Sequence, residues 1–384
     1  MNKKKFFIAT TIPASLNFFK GNLAYLNQHF EVTAISSNNE LLRTIGKREG
    51  VKTFHIPMVR PISLLKDIYC LFCFILIFIK EKPYIVHGNT PKASFLSMIS
   101  AWITRVPKRI YMCHGLRYQG EVNKYKRMVL VAMEKLACAC ATKVICVSFG
   151  VRNTLIEDHV CSNNKAIVVH YGSASGIDIN YFNRNNTDIK TTVNQELGIK
   201  ETDFTFIFIG RVVQDKGVNE LVHSFCKLKK IHPHMHLIIV GPTDAETNKI
   251  SKETQTLISQ TNHIHLVGGQ KDVRPYLINA NALILPTYRE GLPTVLIEAG
   301  AMSLAAIATN VIGCNEIIIP EKNGDLVEAK NIDSLFNMMK KYVECPEYVK
   351  YISQNARKMV IERYSRQVVW DKMLTTYQEI CNEI

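Results

Sequence analysis

The sequence predicts an α/β protein built from two doubly wound, Rossmann-like domains. Short apolar runs alternate with longer stretches of helical period along most of the chain, the pattern that parallel sheets with crossover helices produce. A length of 384 residues is enough for two cores of ordinary size. A stretch rich in Gly, Ser and Asn, residues 172–186, breaks the alternation near the middle, as an interdomain crossing does. Hydrophobic content of 47% with 21% charged residues describes a folded globular chain, not a disordered one.

In the first half, candidate strands fall at 6–9, 31–36, 51–56, 84–88, 109–114, 143–147 and 166–169. The lysine-led N-terminus imitates a signal peptide, but its apolar part is short and is cut by Thr10 and Thr11, so it reads as a first strand. Ligands of doubly wound sheets collect beyond the carboxyl ends of the strands, so the loops there matter most. After the first strand, 10–15 replaces a glycine-rich turn, and Gly21 comes too late to substitute. After the fourth comes His87-Gly88-Asn89-Thr90-Pro91-Lys92, and after the fifth His114-Gly115-Leu116-Arg117. A lone histidine at a strand end is usually structural; two His-Gly pairs at consecutive ends point towards a cleft. Lys92 reads either as a solvated helix end or as a contact for an acceptor phosphate.

Residues 68–79 are twelve consecutive apolar residues flanked by Lys66, Asp67, Lys80 and Lys82. A bilayer span needs about twenty. The run therefore reads as a buried helix or as one lying in the headgroup layer with lysines at its ends, a surface to which Lys124, Lys126 and Arg127 could add. The net charge of +14 has the same bias: residues 1–180 hold 24 Lys and Arg against 10 Asp and Glu, and residues 181–384 hold 23 against 23. A basic half suits an anionic membrane surface or a phosphorylated acceptor, unless the lysines serve solubility alone. No zinc-finger spacing or RNA-binding signature is present, so nucleic acid is not an expected partner. Eleven scattered cysteines, an odd number and mostly within apolar runs, suit reduced thiols; Cys70 and Cys73 read as core packing.

The second half opens with a strand at 204–209 and a loop, Gly210-Arg211-Val212-Val213-Gln214-Asp215-Lys216-Gly217, that would aim two cations at a cleft. Further strands fall at 236–240, 265–268, 282–285, 305–308 and 325–327, and helices at 334–344, 347–364 and 366–380. The organising stretch is 283–299. An apolar run ends at Pro286, a loop carries Arg289, Glu290 and Gly291, and Pro293 stands where a first helical residue belongs. The free N–H groups of such a helix suit a phosphate, while Glu290 and Glu298 suit hydroxyl groups. A nucleotide sugar carries both.

The order strand, Pro286, Glu290-Gly291-x-Pro293, helix, Glu298 resembles the Glu-x7-Glu motif of the retaining glycosyltransferases of family 4. Ser175-Gly176-Ile177-Asp178 is similar to the turn that enters that family's linker, and the resemblance extends over nearly the whole chain. It implies a GT-B fold with two domains facing across a cleft: residues 1–172 on the acceptor side, 187–365 on the nucleotide-sugar side, and a last helix, about 366–384, returning to the first domain through Trp370 and Tyr377. It implies that Arg211, Lys216 and the chain at Leu292, Thr294 and Val295 hold the donor diphosphate, that Glu290 meets the sugar hydroxyls and Glu298 the ribose, and that Leu266, Val267 and Gly268 border the base. His114 would act beside the donor sugar, with His87, Lys92 and Arg117 on the acceptor side.

The implied activity is retaining hexosyl transfer from a nucleotide sugar to a polyprenyl-diphosphate-linked saccharide in capsule or O-antigen synthesis. The implied location is cytoplasmic and peripheral, at the inner face of the membrane. No Asp-x-Asp stands where a divalent cation would be held, so no metal or other cofactor is expected. Paired carboxylates also occur in glycosidases, but simple glycoside hydrolysis gives Arg211 and Lys216 nothing to bind. The rivals are a nucleotide-sugar epimerase of similar architecture and a basic membrane-binding protein without catalysis.

Overall fold

The computed structural model describes residues 3–186, 192–243 and 248–383; residue 187, the expected start of the second domain, lies outside the described residues. Contacts divide the chain into an N-terminal unit, Met1–Gly176 with Val369–Ile384, and a C-terminal unit, Ile177–Val368.

The N-terminal unit is built on a parallel sheet of β1 (Lys5–Ala9), β2 (Glu31–Ser36), β3 (Lys52–His55), β4 (Ile85–Gly88), β5 (Lys108–Cys113), β6 (Lys143–Cys146) and β7 (Ala166–Val168), in the order β3-β2-β1-β4-β5-β6-β7. Strands covered on both faces read as continuous apolar runs, and Phe6, Phe7 and Ile8 of β1 are all buried. Three of its helices are α1 (Leu64–Glu81), α2 (Pro91–Ile103) and α3 (Lys124–Cys140), with α2 packed against both α1 and α3. The side chain of Asn123 caps α3 by accepting from the Tyr125 and Lys126 amides. The alternative of a buried helix for the 68–79 run does not hold for α1. Its buried residues are Cys70, Phe74 and Phe78, one stripe at four-residue spacing, and the opposite face is in solvent. Among the described residues no helix is long and apolar enough to cross a membrane.

The C-terminal unit has a parallel sheet of β8 (Phe204–Ile209), β9 (Met235–Val240), β10 (Ile264–Gly268), β11 (Ala282–Leu285), β12 (Ala305–Thr309) and β13 (Gly324–Val327), in the order β10-β9-β8-β11-β12-β13. Its core joins Phe206 and Phe208 of β8 to Phe225 of α4 (Val218–Lys229), and extends through α5 (Thr294–Ala301) to α6 (Pro346–Tyr364). A last helix, α7 (Arg366–Asn382), follows, and from Val369 onward it groups with the N-terminal unit. There the Trp370 indole N–H donates to the Ser175 carbonyl at 2.8 Å, and the Tyr377 ring meets Phe6 edge-on at 5.1 Å.

Two residues expected on the acceptor side are engaged within this unit. His87 is fully buried; its Nδ1 is 2.6 Å from Asn89 Nδ2, its Nε2 is 3.2 Å from the Tyr377 hydroxyl, and burial pulls its pKa down to about 3. It holds α7 to the sheet, with both ring nitrogens engaged. Lys92 is also buried. Its ammonium pairs with Asp67 at 2.6 Å and donates to the Pro61 carbonyl, so its charge pins the start of α2 to the start of α1.

Candidate active site

In the C-terminal unit strand order reverses between β8 and β11, the place where open α/β sheets bind ligands. The loop after β8 carries Arg211 to Gly217, and the loop after β11 carries Pro286 to Pro293. The two are clasped together. Asp215 accepts through its carbonyl from the Tyr288 amide at 2.9 Å, and its carboxylate pairs with Arg289 at 3.2 Å. One residue on, Lys216 pairs with Glu290, so two successive ion pairs form the rungs of a ladder between the loops. Gly217 makes the approach possible: its φ is +70°, and a Cβ there would lie 1.9 Å from the Pro286 carbonyl oxygen. Gly313, φ +80°, braces the other side, since its Cβ would lie 2.4 Å from the Gly291 oxygen.

The helix after Gly291 begins one residue later than expected: Pro293 is the N-cap residue, with ψ 106°, and Thr294 is the first residue of α5. The amides of Thr294 and Val295 therefore have no carbonyl within the helix to donate to, and no acidic side chain stands in the first turn to compete for them. An anion fits that position. Glu298, in the second turn, is half-buried, and burial pushes its pKa up to about 7. A carboxyl in that setting gains from hydroxyl donors.

Arg211 is exposed at the end of β8, and Leu292 and Val295 are half-buried beside Pro293. Leu266, Val267 and Gly268 close β10, two strands away from β8, which corresponds to about 10 Å across the sheet. Pairing with β9 shifts register between Leu266 and Gly268, and Leu266 is exposed on this edge strand. In the N-terminal unit, His114 is exposed directly after β5. Arg117 is also exposed and borders a small groove lined by Arg60, Lys92, Phe95, Leu130 and Glu134. Among the described residues no group of three or more His, Cys, Asp or Glu could hold a metal ion.

Sequence reasoning gave no role to Asp215, Arg289 or Gly313. It also passed over Tyr288, whose hydroxyl donates to Glu220 at 2.6 Å, a bond that adds to burial in raising the tyrosine pKa. A signal was present: Asp215-Lys216 and Arg289-Glu290 are adjacent opposite charges in reversed order, as a two-rung pairing requires.

Residues 189–359 match the family described as Glycosyl transferases group 1, and residues 23–173 match Glycosyltransferase Family 4. The chain is 30% identical over 384 residues to the capsular polysaccharide biosynthesis glycosyltransferase CapM of Staphylococcus aureus, covering 100% of this chain and 99% of that one. It is 26% identical to the UDP-Gal:alpha-D-GlcNAc-diphosphoundecaprenol alpha-1,3-galactosyltransferase of Escherichia coli, covering 91% and 89%. Among solved structures, a glycosyltransferase from Rickettsia africae superposes with a TM-score of 0.81 at 21% identity, covering all of both chains. The two sheets and this likeness define the α/β GT-B class. The chain belongs to glycosyltransferase family 4, and it is a transferase.

Proposed function

We propose that the protein transfers a hexose, with retention, from a nucleotide-diphosphate sugar to a polyprenyl-diphosphate-linked saccharide during capsule or O-antigen assembly at the cytoplasmic face of the membrane. The observation that supports this reading is the paired ladder between the β8 and β11 loops, which joins Lys216 to Glu290 on the loop that leads into α5. The S. aureus relative's place in capsule synthesis supports the class of pathway, and the E. coli relative's diphosphoundecaprenol-linked acceptor supports the class of acceptor.

In this mechanism Arg211, Lys216 and the chain at Leu292, Thr294 and Val295 bind the diphosphate. Negative charge grows there as the bond between sugar and phosphate breaks, so these groups stabilise the transition state more than the ground state. Glu290 spends one oxygen on Lys216 and offers the other to sugar hydroxyls, and Glu298 takes the ribose hydroxyls. The bond from the acceptor oxygen to the anomeric carbon forms on the face the phosphate leaves, and a departing phosphate oxygen accepts the acceptor's proton. No protein nucleophile is then required, and the cations of the protein supply the charge a metal would. Leu266, Val267 and Gly268 flank the base. His114 and Arg117, both exposed on the N-terminal unit, are assigned to the sugar and to the acceptor.

The test is release of nucleoside diphosphate with lipid extract as acceptor, after a thermal-shift panel of nucleotide sugars has identified the donor. Arg211→Ala and Glu290→Ala should each lower release by at least about 100-fold with unfolding temperature kept. Full activity in either variant would overturn the assignment. Conversion of the donor without acceptor would identify an epimerase, and lipid binding with no release would identify a non-catalytic membrane protein.

A further inference from the structure

The clasp between the β8 and β11 loops is densely charged and yet neutral as a whole. Asp215 pairs with Arg289 at 3.2 Å and Lys216 pairs with Glu290, so two cations meet two anions. The Lys216–Glu290 rung is the more enclosed: its side chains are 19% and 14% exposed, against 45% for Arg289. Solvent therefore screens it less, and the carboxylate keeps more of its influence on anything the ammonium binds. Near this rung lies the buried thiol of Cys314, which burial and the Glu290 charge hold neutral, so it does nothing to oppose the carboxylate.

A cation matched in this way grips a diphosphate weakly. An ammonium has three N–H donors, and Lys216 commits one of them to Glu290. A phosphate that takes another comes close to that carboxylate, and like charges in a partly enclosed site repel. An intact nucleotide sugar compensates, because hydroxyls of its sugar donate to the other oxygen of Glu290. The nucleoside diphosphate left after transfer has no sugar to do this. It also carries more negative charge, since its terminal phosphate is no longer esterified. The same carboxylate thus favours one ligand and opposes the other.

We propose that Glu290 sets discrimination between donor and product: by holding Lys216 it weakens the site for a bare nucleoside diphosphate, keeps the site selective for the intact nucleotide sugar, and speeds release of the product. Release of product limits turnover in many enzymes, so a group that loosens it has a direct effect on rate. The role rests on the assignment of Lys216 to the diphosphate in the proposed transfer reaction, and adds to it a reason for placing an acid against that lysine.

The experiment is calorimetric titration of UDP, GDP, ADP and dTDP, and of the nucleotide sugar with the same base as the tightest of them, into the wild type, E290Q, K216M and K216M/E290Q. Glutamine keeps the size of Glu290 and a hydrogen-bonding oxygen but not the charge. E290Q is expected to bind the nucleoside diphosphate about tenfold more tightly than wild type, and K216M about tenfold less tightly. The nucleotide sugar should not tighten in E290Q, so the preference for donor over product narrows. Adding E290Q to K216M should change binding by less than about threefold, because the gain runs through the released ammonium. An E290Q protein that binds the diphosphate no more tightly than wild type overturns the proposal, as does one that tightens the nucleotide sugar equally, or a full gain on the K216M background. If K216M weakens binding and E290Q does not strengthen it, the discrimination fails and the diphosphate assignment stands. Unchanged binding by K216M, or binding of none of the four diphosphates by wild type and E290Q alike, overturns both.

Discussion

The two units repeat one parallel architecture, and each reverses strand order once, β1 beside β4 in the first and β8 beside β11 in the second. What closes the reversal differs. In the N-terminal unit, Thr11 binds Thr90 through its amide at 2.8 Å and its hydroxyl at 2.7 Å, and Thr10 binds Ser36 at 3.1 Å. These are neutral groups satisfied by one another. In the C-terminal unit the equivalent place is held by Asp215–Arg289 and Lys216–Glu290, with Arg211 exposed beside them. Identical topology thus yields a self-contained seam in one unit and a charged clasp in the other, so the sheet fixes where a ligand goes and the loop residues fix what kind.

Substitutions in both units and a change of pH sharpen that contrast. The largest effect is expected from Gly217→Ala. A Cβ in collision with the Pro286 carbonyl, at positive φ, forces the clasp apart, costing about 3 kcal/mol or more and most of the transfer activity. Thr11→Val in the neutral seam should cost only about 1 kcal/mol and leave transfer intact. Denaturant unfolding and diphosphate release measure both, and a G217A protein with wild-type stability would refute the close packing of these loops.

Glu298→Gln comes next. The folded pKa of about 7 lies above the ordinary value of 4.5, so this group's contribution is lost as pH rises through that interval. Above pH 7 the wild type keeps a costly half-buried carboxylate, at up to about 3 kcal/mol. The variant should therefore be more stable than wild type at pH 8, nearly equal at pH 4.5, and weaker in nucleotide binding. Unfolding at both pH values and a nucleotide titration check this, and equal stability at pH 8 would remove the argument.

A further effect is acid sensitivity, shared by both units. His87 in the first and His236 in the second are buried, with pKa values pulled down by burial from 6.5 to about 3 and about 4. Each folded pKa lies below the unfolded one, so the unfolded chain takes up protons first, and stability falls as pH drops below 6.5. The loss should be about 1 kcal/mol per histidine between pH 6.5 and 5.5. H87Q and H236Q should each flatten that slope by one histidine's share, and slopes unchanged in both would disprove it.

Much of the architecture was legible beforehand because it rests on local pattern. The strands at 204–209 and 282–285 coincide with β8 and β11, which are almost wholly apolar because both faces are buried, and the candidate strand at 31–36 coincides with β2. Glu290, Glu298 and Arg211 stood out for the same local reason, being charges placed just past such runs. His87 and His114, by contrast, look alike in sequence. One is sealed beneath α7 and the other is open, because burial depends on a helix almost three hundred residues away.

The sequence by itself determined the two parallel sheets, the asymmetric charge and the family, since hydrophobic period and motif order are properties of neighbouring residues. Tertiary structure alone decided that Lys216 reaches Glu290 across 74 residues, that Lys92 spends its charge on Asp67, and that α1 turns a broad apolar face to solvent. Each of those outcomes depends on which elements lie side by side, and adjacency in a sheet is set by strand order, which no local pattern encodes.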